Sequence, residues 1–186
     1  MFDPREADSR PMAAELVASS YRAMVEHETR LLELAAHWAD LHAMPDQDCR
    51  AALRLVGGVG TPEVWEHAAA ELGALQETTT QAAVAQMADG LDLRHRLPRL
   101  WGKVCSGSVR AWKARAVAKA TRHLSVTAAG YVDLAVADAI TTQAWGPFTD
   151  YLTAKICEAD PQEAEYEHAV RPPIGMSAPA AATPTA

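Results

Sequence analysis

An all-α bundle is the fold this sequence predicts, and three observations carry the prediction. Alanine fills 39 of the 186 positions while aromatic residues make up only 6%, a composition that favours thin, closely packed helices over sandwiches or barrels. Apolar residues recur at three- and four-residue spacing in segment after segment. Each segment is bounded by the Pro, Gly, Ser or Thr residues that start and stop helices, and no run reads convincingly as a strand.

The first element is the longest. From about residue 13 to 44 the chain is free of Gly and Pro, and Val17, Tyr21, Met24, Leu31, Leu34, Trp38 and Leu41 mark one stripe. At 1.5 Å per residue this helix runs about 48 Å, too long for one short neighbour to cover. Several later helices or a second chain must therefore pack along it. Pro45 stops it, and the loop beyond ends in Gly57-Gly58-Val59-Gly60, read as a flexible joint. Thr61-Pro62-Glu63 then reads as N-cap, first helical residue and acid of the first turn, opening a helix to about Gln76.

Thr78 or Thr79 caps the next helix, which carries Ala82, Ala83, Val84, Met87 and Leu91. Pro98 restarts a short helix through Trp101 and Val104 that ends at Ser106-Gly107. Ser108 is expected to cap RAWKARAVAKATRHL, and Ser125 or Thr127 the helix with Tyr131, Leu134, Val136 and Ile140. The last clear helix follows Gly146-Pro147 and carries Phe148, Tyr151, Leu152 and Ile156. The expectation is about seven helices: a flexible lead-in over 1–12, a helical domain over 13–168, and a disordered Pro/Ala/Thr tail over 169–186.

Composition excludes several chemistries. The chain has no asparagine, so it can build neither a His-Asn-His nuclease core nor a Cys-His-Asn triad. Cys49, Cys105 and Cys157 are an odd number with no CxxC pair, which points to reduced thiols rather than a disulfide frame or zinc knuckle. The start is acidic and lacks an apolar run, and charges interrupt every apolar stretch, so a soluble, cytoplasmic protein with no membrane partner is expected.

The net charge of −7 hides a division. Residues 1–92 carry 6 basic and 16 acidic side chains, residues 93–132 carry 9 basic and none acidic, and residues 133–186 carry 2 basic and 8 acidic. The nine are Arg94, Arg96, Arg99, Lys103, Arg110, Lys113, Arg115, Lys119 and Arg122, with Trp101 and Trp112 among them. Arg115, Lys119 and Arg122 share one face of a helix, opposite Val109, Ala116, Val117, Ala120 and Leu124. Such a segment suits phosphates, with tryptophans near to stack on bases. It equally suits docking on the acidic helices of its own chain, and the tryptophans, beside Leu100, Val104 and Val109, read better as core.

Residues 63–91 have the outline of a helix-turn-helix, with Gln81 and Gln86 placed to read adenine edges. Their six acids and lack of any Lys or Arg over 61–92 speak against it, and a packed helical hairpin is expected. The seven histidines form no metal-binding spacing. Cys105 lies between Lys103 and Arg110, which would lower its pKa, but no histidine is close in sequence to serve as its base. No catalytic set, metal or cofactor is predicted.

The runs RLLELAAHWADLHA, GGVGTPEVWEHAAAELGAL, LDLRHRLPRLWGKVCSGSVRAWKARAVAKATRHLS and AWGPFTDYLTAKICEADP resemble, in that order, the N-terminal half of the domain of unknown function 222 family. This is the thirteen-E-twelve repeat family, whose members typically end in an HNH endonuclease module. The most diagnostic stretches are Gly58 to Pro62, Leu97 to Trp101 and Ala111 to Arg115, and the likeness runs from about residue 20 to 168. It departs from the family pattern near Val170, and with no asparagine and only His168 near the C-terminus none of the nuclease roles can be assigned. The resemblance implies a truncated, non-catalytic helical accessory module, associated with DNA through the basic segment 94–122 or with a separate nuclease module. The alternatives are a structural or interaction module in which the long helix pairs with a partner or a second copy, and a truncated remnant without function of its own.

Overall fold

The computed structural model describes residues 9–43 and 52–160, and over these the chain is the expected all-α bundle, mostly helical with two very short strands. The helices are α1 (Arg10–Leu41), α2 (Ala68–Leu75), α3 (Thr80–Arg96), α4 (Pro98–Cys105), α5 (Ala111–Thr121), α6 (Val126–Val136), α7 (Ala139–Thr142) and α8 (Trp145–Ala159). Eight are found among the described residues where about seven are expected, the extra one being the single turn α7.

Local chemistry explains most of the boundaries. Ser9 accepts the N–H of Met12 and starts α1 three residues ahead of the expected start at residue 13. Thr79 caps α3 through Ala82 N–H, and Ser125 caps α6 through Ala128 N–H. α4 has no cap of its own. Instead Asp133 reaches across from α6 and accepts the N–H groups of Arg99 and Leu100 at 2.9 and 3.0 Å. Burial holds the Asp133 carboxyl above its ordinary range, against the pull of these two N–H donors.

Two local expectations are corrected. The helix predicted from Thr61 begins only at Ala68: Thr61 instead closes a turn onto the Gly58 carbonyl, and Val64–Trp65 pair antiparallel with Leu53–Arg54. Ala68 and Trp65 are in turn held by α1, through Trp38 Nε1–H on the Ala68 carbonyl and Trp65 N–H on that of His42. This tertiary pinning overrides the local helix signal. Ser108 does not cap α5, since Arg110 occupies the N-cap position and the Ser108 hydroxyl meets that of Ser106. Pro45, Cys49, His168, residues 1–8 of the lead-in predicted over 1–12, and the predicted tail 169–186 lie outside the described residues, while residues 10–12 of that lead-in belong to α1.

The core has two parts. Ala35, Ala39, Val64, Ala68, Leu72, Ala83, Met87 and Leu91 gather where α1, α2 and α3 meet. Leu32, Leu93, Leu97, Leu100, Val104, Val117, Leu124, Val132, Phe148 and Leu152 gather α3 to α8 around the other. α3 runs between them and buries Asp89, Gly90, Leu91, Asp92 and Leu93 in succession, so it is covered on all sides. Small residues set its distance from α1: a Cβ on Gly90 would lie 3.0 Å from that of Ala36. Here the alanine-rich composition acts, through close helix contact rather than large side chains.

Candidate functional site

The structure spends most of the basic segment on the chain's own carboxylates. Asp89 and Asp92 are three residues apart on α3, with Arg96 one turn beyond Asp92, so all three share a buried face. Arg96 Nη1 donates to Asp92 Oδ1 at 3.0 Å, and the Arg96–Asp92 pair has no exposed side-chain surface. Its other donors reach the carbonyls of Thr121, Arg122 and Leu124 at the end of α5. A cation there satisfies carbonyls that the helix leaves free and meets the negative end of its dipole.

From α5, Arg122 Nε donates to Asp92 Oδ2 at 2.7 Å and Arg122 Nη2 to Asp89 Oδ1 at 2.7 Å, while Arg115 Nε donates to Asp89 Oδ2 at 2.8 Å. Burial opposes the Arg122 charge, but Asp92 and Asp89 outweigh it and its pKa is raised. The glycine loop completes the cluster. Gly58 N–H donates to Asp92 Oδ1 at 2.7 Å, and a Cβ on Gly58 would fall 1.9 Å from Arg96 Nη1. Gly57-Gly58-Val59-Gly60 is therefore no flexible joint. It is a lid that only glycine fits, and the anion it holds is an aspartate of the same chain.

The remaining predicted positions divide. Arg94 Nη1 pairs with Asp40 Oδ2 at 2.8 Å, Lys103 with Asp138 Oδ1 at 3.0 Å, and Arg110 Nη2 with Glu28 Oε2 at 2.7 Å while its guanidinium lies over the Tyr21 ring. Glu28 raises the Arg110 pKa, with Tyr21 adding to it. Lys113 sits 5.9 Å from the Trp112 and 6.0 Å from the Trp145 ring centroid. Among the described residues Arg99, Lys113 and Lys119 have no ion-pair partner.

Of the two tryptophans, Trp101 packs half-buried on the core, while Trp112 is 44% exposed and meets Trp145 edge-on, which stacks on Phe148. The helix-turn-helix outline becomes a packed hairpin. α3 buries Ala83 and Met87, and Gln86 donates to the Leu31 carbonyl of α1.

Cys105 is shifted the opposite way from what its sequence neighbours suggest. Partial burial and the adjacent Glu33 carboxylate push its thiol up to about 11, while Lys103 and Arg110 are committed to Asp138 and Glu28. Cys105 lies in a notch of about 820 Å³ where α1 leaves the bundle, with Arg22, Val25, Thr29 and Arg110 on its other walls. The Thr29 hydroxyl is buried there without a hydrogen-bond partner. No group of His, Cys, Asp and Glu among the described residues is arranged to hold a metal, and no described helix is long and apolar enough to cross a membrane.

The feature that charge counting passes over is the first half of α1. Leu32, Ala35, Ala36 and Ala39 are 0 to 2% exposed against the bundle, whereas Met12, Val17, Tyr21 and Met24 are 48, 71, 51 and 47% exposed. The bundle lies against one half of the helix only. The signal for this was legible as length: α1 has 32 residues and its partner α3 only 17.

No family model, curated protein or solved structure matches this chain. The stretches that carry its family resemblance are structural in this fold: Gly58 to Thr61 form the lid, Leu97 and Leu100 are core, and Arg115 closes the ionic cluster.

Proposed function

We propose that this chain is a non-catalytic helical interaction module, of the kind its resemblance to HNH-associated domains implies, and that it works by docking a polypeptide on the first half of α1. One observation carries the reading. Val17, Tyr21 and Met24 stand exposed on a helix whose second half buries Leu32, Ala35, Ala36 and Ala39 against the bundle while leaving Leu31, Leu34 and Leu41 exposed, so an apolar face of α1 stands out from the bundle. The test is sedimentation of the chain alone and with a separately produced HNH module of the resembled family. Self-association or a mixed complex that Val17→Glu with Met24→Glu abolishes, at unchanged helix content, supports the reading. A chain inert in both settings, or a complex indifferent to those substitutions, overturns it.

Association with DNA through 94–122 is the second reading, favoured by forty residues without an acid. Six of the nine cations already face carboxylates of the chain, which leaves Arg99, Lys113 and Lys119 for phosphates. Three phosphate contacts give a slope of log K against log[salt] of about −3. Arg115→Glu and Arg122→Glu are poor probes, because each would add a carboxylate beside Asp89 and disturb the core. Arg99→Gln, Lys113→Gln and Lys119→Gln are the informative set. Binding that survives all three, or its absence at 50 mM salt, overturns this second reading.

A further inference from the structure

The face of α1 that the bundle covers and the face it leaves bare are one seam. Ala14, Tyr21, Glu28 and Ala35 alternate with Ala18, Val25, Leu32 and Ala39 at four- and three-residue steps, the spacing of a coiled-coil seam. Leu32, Ala35 and Ala39 are buried against the bundle, and Glu28 is held by Arg110. Ala14, Ala18 and Tyr21 are exposed and Val25 only half-buried, flanked by exposed Val17 and Met24.

We propose that a second copy of this chain covers the bare half of the seam, the two α1 helices pairing antiparallel about a twofold axis between Ser19 and Ser20. The inference rests on the reading of α1 as a docking face and names what docks there. In this register Ala18 faces Tyr21 of the second copy and Ala14 faces its Val25. Each of these layers thus sets a small residue against a large one, as an even helix spacing requires. Along one edge Glu15 faces Arg22 of the second copy, and by symmetry the contact occurs twice. Along the other edge Val17 faces Met24, again twice.

Charge and shape both select the antiparallel arrangement. A parallel pair would stack Tyr21 on Tyr21 and Glu28 on Glu28, and would bring two bundles to the same end of the seam, where each already fills its own half. The antiparallel pair sends the bundles to opposite ends. It also lays the first turn of one α1 along the notch of the other. Paired over residues 11–28, about 27 Å of helix, the two copies bury on the order of 1,000 Å², which places the dimer at the weak end of stable interfaces.

Sedimentation velocity on the full chain from 1 to 100 µM tests this. The expected result is a monomer–dimer equilibrium that Glu15→Arg or Arg22→Glu alone weakens about tenfold or more. The double substitution Glu15→Arg with Arg22→Glu, which exchanges the charges, should restore it to within about threefold. In a background with all three cysteines replaced by serine, Ala18→Cys chains mixed with Tyr21→Cys chains should cross-link, and Ala18→Cys chains alone should not. A monomer throughout this range, a dimer indifferent to both single charge reversals, or cross-linking of Ala18→Cys alone would overturn the proposal. A monomer that still forms the mixed complex sensitive to Val17→Glu and Met24→Glu leaves α1 a docking face and removes only the second copy from it.

Discussion

The ionic cluster between α3 and α5 and the first half of α1 are opposite solutions to the placing of side chains. In the cluster, two aspartates and three arginines are brought together, with Asp92 and Arg96 fully enclosed and every carboxylate oxygen accepting a hydrogen bond. In the first half of α1, Met12, Val17 and Met24 stand about half or more exposed, and the bundle reaches Tyr21 through Arg110, which lies over its ring. The charged residues that look like a surface are interior, and the apolar residues that look like core are exterior. Local residue type therefore misleads here in both directions, because what decides burial is which partner the chain supplies.

The contrast can be broken first at Asp92. Asp92→Ala leaves Arg96 buried without its carboxylate and takes a partner from Arg122 and Gly58, so a loss of about 4 kcal/mol is expected in chemical denaturation. Folding with a loss under about 1 kcal/mol would show that water enters the cluster. On the covered half of the α1 seam, Leu32→Ala opens a cavity at a residue 2% exposed, and about 3 kcal/mol should be lost. Gly58→Ala forces a methyl group toward Arg96 and the Arg122 carbonyl. About 2 kcal/mol is expected from this overpacking, read as a fall in melting temperature.

On the bare half the effect should all but vanish. Val17→Glu, measured on protein dilute enough to be monomeric, should change stability by no more than about 0.5 kcal/mol. A larger loss would mean that this half is covered within one chain. The smallest effect concerns Cys105, where no change in stability is expected but reactivity should be low. With its pKa at about 11, roughly 0.1% is thiolate at pH 8, so alkylation by iodoacetamide should run about a hundredfold slower than that of a free cysteine. The rate should keep rising through pH 10, and Glu33→Gln, which removes the neighbouring acceptor and charge, should speed it at pH 8. Mass spectrometry of a chain lacking Cys49 and Cys157 reads both.

Much of the fold was legible because helix signals are local. Pro98, Thr79 and Ser125 start their helices as expected, since a cap or a proline at the first turn acts on residues three or four away. The Thr61 signal failed because Trp38 and His42, far off in sequence, bind the backbone of that segment and pull Val64–Trp65 into a ribbon. The candidate site was half legible. Nine cations in forty residues are plain in the sequence, and the four-residue step from Asp92 to Arg96 announces one pair. The pairing of Arg122 with Asp89 and of Arg110 with Glu28 joins residues 33 and 82 positions apart, which no local pattern specifies.

The sequence by itself determined that this is an all-α chain, that α1 outruns any single partner, and that charge is segregated along it, because composition, periodicity and capping act over a few residues. Tertiary structure alone decided where the charges go and which half of α1 is left bare. Those outcomes depend on how α3 packs between α1 and α5, with Gly90 setting the approach to α1 and Asp89 and Asp92 facing the arginines of α5. The neutralising acids lie outside the basic segment, so a charge count taken window by window shows a surplus that the folded chain does not present.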